Sequence, residues 1–283
     1  MKFLCGLLWL CLLLGCAVPP ESTYSTDNLS QSLERILREE YHIPIVSKLS
    51  GQTLWIYLPI EDEIFIESDK PREYVKLFEI KSAEGNLQGG ILSVDYDVRE
   101  IPESRERQDK KFNPEVSDKI NKVLRAIRRV LFSLKRGEDD PKFFVIAASD
   151  IKNGIDIIYT TYIDDLRKAF YGIISWTEYQ HRNVEDIKFS PGAIGDKEGR
   201  HIEFRDINFM EFVVRQIQQR VYSKFNRPQV KKGVDIDKEV LKTVRKMLEI
   251  YKVEDFLLVS LKNLYTGNKV TLSKAAVLEE VKE

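Results

Sequence analysis

Between Val116 and Leu134, eight apolar residues (Val116, Ile120, Val123, Leu124, Ile127, Val130, Leu131 and Leu134) fall at offsets 0, 4, 7, 8, 11, 14, 15 and 18. At 3.6 residues per turn that spacing paints one continuous stripe along a helix of about five turns, ended by Gly137. The Arg and Lys residues between them occupy the opposite, solvated face. A helix with one apolar face must lay it on something, and strands follow. Phe143–Ser149 and Ile155–Ile163 flank Asn153-Gly154, a dipeptide suited to a tight hairpin turn.

The same order, helix then strand, glycine turn and strand, occurs three times. Leu29–Tyr41 is an amphipathic helix that Asn28 and Gln31 can cap, stopped before Pro44; Ile45–Leu49 and Thr53–Ile60 then flank Gly51. In Thr53–Ile60, Trp55 and Tyr57 point one way while Leu54, Ile56 and Leu58 point the other. The third copy is a helix over Lys238–Lys252 capped by Asp237, then Phe256–Lys262 and Asn268–Leu272. Phe143 to Gly154 and Phe256 to Gly267 are the same distance apart. The expected class is α+β, with helices packed on antiparallel hairpins in αββ units. Such a layout resembles the small α/β modules of envelope assembly and secretion proteins, which bind partners through exposed strand edges.

Further strands are expected at Ile64–Ile66, Tyr74–Lys81 and Gly90–Val98, with a glycine-rich turn at Glu84–Gly89. Asp164 or Asp165 caps a helix through Phe170, Ser175 with Glu178 caps a short helix to His181, and Asn208 opens one to Phe225. Asn183–Arg200 reads as a loop. Glu100–Asn113 is charged and almost without apolar residues, and reads as a linker.

Charge and cysteine usage narrow the function. Lys plus Arg number 44 against 45 Asp plus Glu, so no basic field exists to gather phosphates, and nucleic acid is not an expected partner. All three cysteines (Cys5, Cys11 and Cys16) lie in the first 16 residues. Lys2 followed by the apolar run Phe3–Leu14 has the form of a signal peptide, too short to span a bilayer. The run ends Leu13-Leu14-Gly15-Cys16, which resembles the bacterial lipobox. That resemblance implies cleavage after Gly15 and diacylglycerol on the Cys16 sulfur. Ala17 next to the cysteine, rather than Asp, implies the outer membrane where the cell has two. Removal of the leader would leave no thiol for a disulfide, a metal or catalysis. The expected organisation is a signal peptide (1–15), a tether (16–27), an α+β domain (28–101), a charged linker (102–113) and a second α+β domain (114–283).

No HExxH, GxSxG, GxGxxG, CxxC or phosphate-loop motif is present. His201 can act as a general base beside Glu203, one strand position away, but reads more simply as a surface histidine. His42 and His181 suit helix ends. Asp95 with Asp97 reads as the wet face of a strand, Asp164-Asp165 as a helix cap, and Ser190–Arg200 as a flexible connection. Trp55, Tyr57, Tyr159, Tyr162, Tyr171, Trp176 and Tyr179 divide between core and interface. No catalytic, cofactor or metal residues are expected. The expected function is a membrane-anchored envelope lipoprotein that binds a protein partner. The alternatives are capture of a ligand between lobes on either side of Glu100–Asn113, and hydrolysis of an envelope polymer.

Overall fold

The structure is a computed structural model that describes residues 24–135, 137, 140–226 and 230–278. The leader, Cys16 and residues 17–23 lie outside the described residues. Among the described residues, two mixed sheets and seven α-helices make an α+β fold.

Sheet one has the order β1 (Val46–Ser50), β2 (Thr53–Ile60), β5 (Phe143–Asp150), β6 (Ile155–Tyr162), β7 (Val184–Phe189). Its pairs are antiparallel except β2 with β5, which run parallel from Thr53↔Phe143 to Ile60↔Asp150. The two parallel strands are buried on both faces, which is why their sequences are nearly continuous apolar runs. Leu54, Ile56, Leu58, Phe144, Ile146 and Ala148 face α1 (Leu29–Tyr41) and α2 (Pro114–Phe132) in one core. Trp55, Tyr57, Phe143, Val145 and Ala147 face a second core, shared with α5 (Phe209–Asn226), α6 (Ile236–Ile250) and sheet two. The opposed facing expected within β2 is therefore present. Each fully buried Leu, Ile or Phe side chain contributes about 1.5–3 kcal/mol.

Sheet two has the order β3 (Phe65–Gln88), β4 (Ile91–Phe112), β8 (Leu258–Asn263), β9 (Lys269–Ser273). Here too the inner pair, β4 with β8, runs parallel between two hairpins. The charged run expected as a linker at 102–113 is instead strand β4 up to Phe112. The short strands expected at Ile64–Ile66 and Tyr74–Lys81 merge into one strand of 24 residues. Past Phe78, Ile80 and Val98, which are buried in the core, this hairpin is a two-stranded ribbon. Tyr74 and Lys76 bond the two oxygens of Glu106 at 2.6 and 2.7 Å, and Arg99 pairs with Glu79 across the strands. With water on both faces, charged side chains are the stable occupants, and they also discourage pairing with a foreign strand.

The expected domain boundary is thereby displaced. Sheet one draws on residues 46–60 and 143–189, and sheet two on 65–112 and 258–273, so no cut at 102–113 separates them. The end of the segment expected as a tether, from Tyr24 on, belongs to the body. The Tyr24 N–H donates to Ser133 O (3.3 Å) and its carbonyl accepts from Lys135 N (2.9 Å).

Several helix ends differ from expectation. Ser175 caps α4 (Trp176–His181) as expected, accepting from Glu178 N at 3.0 Å. Asn28 gives no cap bond to α1 and instead accepts from Ser25 N. Asp235, not Asp237, caps α6. Asp237 accepts from Tyr96 Oη (2.7 Å) and Asn263 Nδ2 (2.8 Å), tying α6 to sheet two. α3 (Ile163–Phe170) has no side-chain cap, and Asp165 is buried. α2 stops at Phe132, short of Gly137. The short helix α7 (Lys274–Leu278) closes the described chain.

The three helix–hairpin units exist, with Gly51, Gly154 and Gly267 all in the left-handed region at their turns. The first two lie side by side in sheet one, whereas the third hairpin is in sheet two. There the strand begins at Leu258, two residues after the Phe256 that sets the sequence register.

Candidate functional site

Ser190–Arg200 is a folded cap over the carboxyl ends of β2 and β5. Gly195 N donates to Ile151 O (2.9 Å), and Asp196 organises the turn that follows. One oxygen of Asp196 accepts from the backbone of Glu198 and Gly199, each at 2.9 Å. The other accepts from His201 N (3.1 Å) and faces His201 Nδ1 at 2.6 Å. Gly199 has φ +72°, and a Cβ there would stand 2.8 Å from Tyr57 Cγ, so only glycine lets the cap close on Tyr57. The Tyr57 hydroxyl in turn donates to Asp196 O at 2.5 Å.

His201 thus sits between Asp196 and Asp156, with Nε2 at 3.1 Å from Asp156 Oδ1. Glu203, the partner expected from sequence, is exposed and not involved. Ser149 donates to Asp156 at 2.5 Å, and both are fully buried. The hydroxyl has a carboxylate rather than the imidazole as its acceptor, and both ring nitrogens face carboxylates. The geometry is that of a staple between loop and sheet rather than of a base poised on a nucleophile. Its members lie on β5, β6 and the cap, up to 52 positions apart (149 to 201), so spacing gave no signal.

The staple has a pH signature. Burial alone pushes the Asp196 carboxyl up, but the bonds from the His201 ring and backbone outweigh it and bring the value from 3.8 to about 2. A depressed carboxyl stabilises the fold above its unfolded value and loses that contribution as pH falls. Asp196 should therefore contribute about 2 kcal/mol at neutral pH, lost between about pH 4 and pH 2. Asp196→Asn should lower stability at pH 7 by that amount and flatten the acid limb. Urea unfolding across this range would show it, and an unchanged acid limb would remove the assignment.

The other sequence candidates do not converge. Asp95 and Asp97 lie on the outer face of β4 in sheet two, alternating with buried Val94, Tyr96 and Val98. Asp164 bonds Arg167 and Tyr162, whereas Asp165 turns inward to Arg182. His181 ends α4 as expected. Trp55, Tyr57 and Tyr179 are core, and burial pushes the Tyr57 hydroxyl up to about 12. Tyr159 and Tyr162 are partly buried, while Tyr171 and Trp176 are exposed. Residues 102–112 are strand rather than a linker between two lobes. Among the described residues no cluster suited to a metal ion is present.

The sequence reading missed β7, which lies inside the stretch expected as loop. β7 is an edge strand. Glu185 N donates to Gln219 Oε1 of α5 at 2.8 Å, away from β6. By the alternation of an antiparallel ladder, Ile187 and Phe189 then also turn their backbone N–H and C=O outward. Their side chains are 51% and 72% exposed. Alongside runs a groove of 710 Å³ between β7, Ala83 of β3 and the face of α5 that carries Arg215, Gln219 and Tyr222. Two other edges are covered. Ser47 N of β1 is satisfied by Glu34 of α1 at 2.7 Å, and β3 is packed by α5.

Comparison with family models, with curated proteins and with solved structures finds no match to this chain.

Proposed function

We propose that this chain is a membrane-anchored envelope lipoprotein whose body binds a partner protein, the partner adding an extended strand to the open edge of β7. The reading of the anchor rests on Leu13-Leu14-Gly15-Cys16. The reading of the binding mode rests on one observation: outward-facing backbone groups at Ile187 and Phe189, the first of them on the wall of a groove of 710 Å³. In strand addition, main-chain hydrogen bonds supply affinity and alternate side-chain pockets supply selection. Gln219 and Arg215 offer polar contacts along the groove, and Ile187 an apolar one. The groove carries one aromatic, Tyr222, and is otherwise mostly polar, so it suits a peptide backbone better than an apolar small molecule.

The test is site-specific photocrosslinking in intact cells, with the probe at Ile187 and, as control, at Val270 on the β9 edge. One protein should be captured reproducibly from Ile187 and not from Val270. Ile187→Pro, which removes an outward N–H without touching the β6 ladder, should reduce capture by more than about tenfold with an unchanged far-ultraviolet spectrum. Equal capture from both edges, or capture indifferent to Ile187→Pro, would count against strand addition.

A further inference from the structure

Four large side chains stand out of the knuckle between α3 and α4: Phe170, Tyr171, Ile173 and Trp176, exposed by 52, 63, 70 and 46%. The knuckle is held in shape. Gly172 N donates to Ala169 O at 3.1 Å, Ile173 N to Lys168 O at 2.8 Å, and Ser175 caps the next helix. The exposure is therefore a property of the fold, and part of it is a ring cluster: Phe132, at the end of α2, packs its ring 4.4 Å from that of Phe170 and 6.2 Å from that of Tyr171. Exposed clusters of this kind mark contact surfaces.

The position of the patch says what covers it. Tyr24, the first described residue, is hydrogen-bonded to Ser133, the neighbour of Phe132. Seven residues, 17–23, separate Cys16 from Tyr24, and eight Cα steps span at most about 28 Å. A lipid on Cys16 would hold this end of the body within about 28 Å of the bilayer. The composition of the patch suits an interface, with two amphipathic rings (Tyr171, Trp176) and two apolar side chains. The Arg128 guanidinium lies 5.8 Å from the centre of the Trp176 ring, so a cation borders the patch where headgroup phosphates would lie.

We propose that the 170–176 knuckle is a membrane-contact site that seats in the headgroup region and orients the body on the bilayer. This inference rests on the reading of Cys16 as the anchor.

Trp176 is its own probe. Trp9 leaves with the leader, and Trp55 is buried with its indole N–H on Arg205 O at 2.7 Å. Full-length protein produced in its cell is purified from the membrane, and the mass at Cys16 is measured. It is then reconstituted into phosphatidylethanolamine/phosphatidylglycerol vesicles carrying lipids brominated near the headgroup end of the acyl chain. Most of the Trp176 emission should be lost, and Trp176→Phe should abolish the quenchable component. Tyr171→Glu with Ile173→Glu should restore Trp176 emission while acylation and the far-ultraviolet spectrum stay unchanged. An acylated protein whose Trp176 is not quenched would overturn the contact site and leave the anchor standing. An unmodified Cys16 would overturn the anchor, and the same quenching with added vesicles would then decide the contact site alone. Protection of Trp176 by self-association, without bromine quenching, would assign the patch to a second copy and also overturn the proposal.

Discussion

Arg182→Ala is expected to cost about 3–5 kcal/mol of folding stability, a large share of the roughly 5–15 kcal/mol available to a fold of this kind. Asp165 is 1% exposed, and its nearest cation is the Arg182 guanidinium at 3.0 Å, with Lys168 at 3.3 Å. Burial by itself would pull Arg182 down, but Glu178 at 2.9 Å and Asp165 hold it above the ordinary value. Burial and then the Asp165 charge push the Tyr251 hydroxyl at the end of α6 up. Removing the guanidinium leaves the buried Asp165 carboxylate with the more exposed Lys168 ammonium, 3.3 Å away, as its remaining cation, and beside a Tyr251 hydroxyl that cannot neutralise it. The penalty comes from the abandoned charge, so Arg182→Met with Asp165→Leu should recover most of the loss. Urea unfolding of the two singles and the double completes the cycle. A single-variant cost below about 1 kcal/mol would mean that water reaches Asp165 and screens it.

The second large effect concerns the address. The full chain is expected to partition almost wholly into the detergent phase of a Triton X-114 separation. The same body, begun at Ala17 behind an ordinary secretion leader, should move to the aqueous phase. Each buried methylene contributes about 0.8 kcal/mol and one myristoyl chain already binds membranes marginally, so losing two or more chains should change partition by at least about a hundredfold. Among the described residues no helix is long and apolar enough to cross a membrane. If the body stayed in the detergent phase after this change, retention would have a source other than Cys16. Weak residual binding to vesicles is expected from the 170–176 knuckle.

The elements legible in the sequence are those that carry a periodic apolar face into a core. α1 runs over the expected residues, α2 and α5 are displaced by about two positions or fewer, and the faces of β2 divide as alternation requires. β7 and the outer halves of β3 and β4 were not legible. An edge strand buries little, with only Val184 of β7 covered, and a ribbon wet on both sides buries less. Where no side chain must avoid water, strand and loop look alike in composition, and only the backbone ladder distinguishes them. The staple was not legible. His201 reads from the sequence as a surface histidine, yet its side chain is only 12% exposed, because Asp156 and Asp196 reach it through strand pairing and a loop fold that local spacing does not encode.

What the sequence by itself determined is local: where helices form, which way alternating side chains face, where glycine lets the chain turn, and the lipobox-like run before Cys16. Each follows from the sterics and hydropathy of neighbouring residues. The tertiary structure alone decided which strands lie together. β2 beside β5 and β4 beside β8 join segments far apart in the chain through hydrogen bonds common to every residue, so no particular side chain announces them. The same pairing turned a charged run into a strand, carried the third hairpin into a second sheet and left the edge of β7 open.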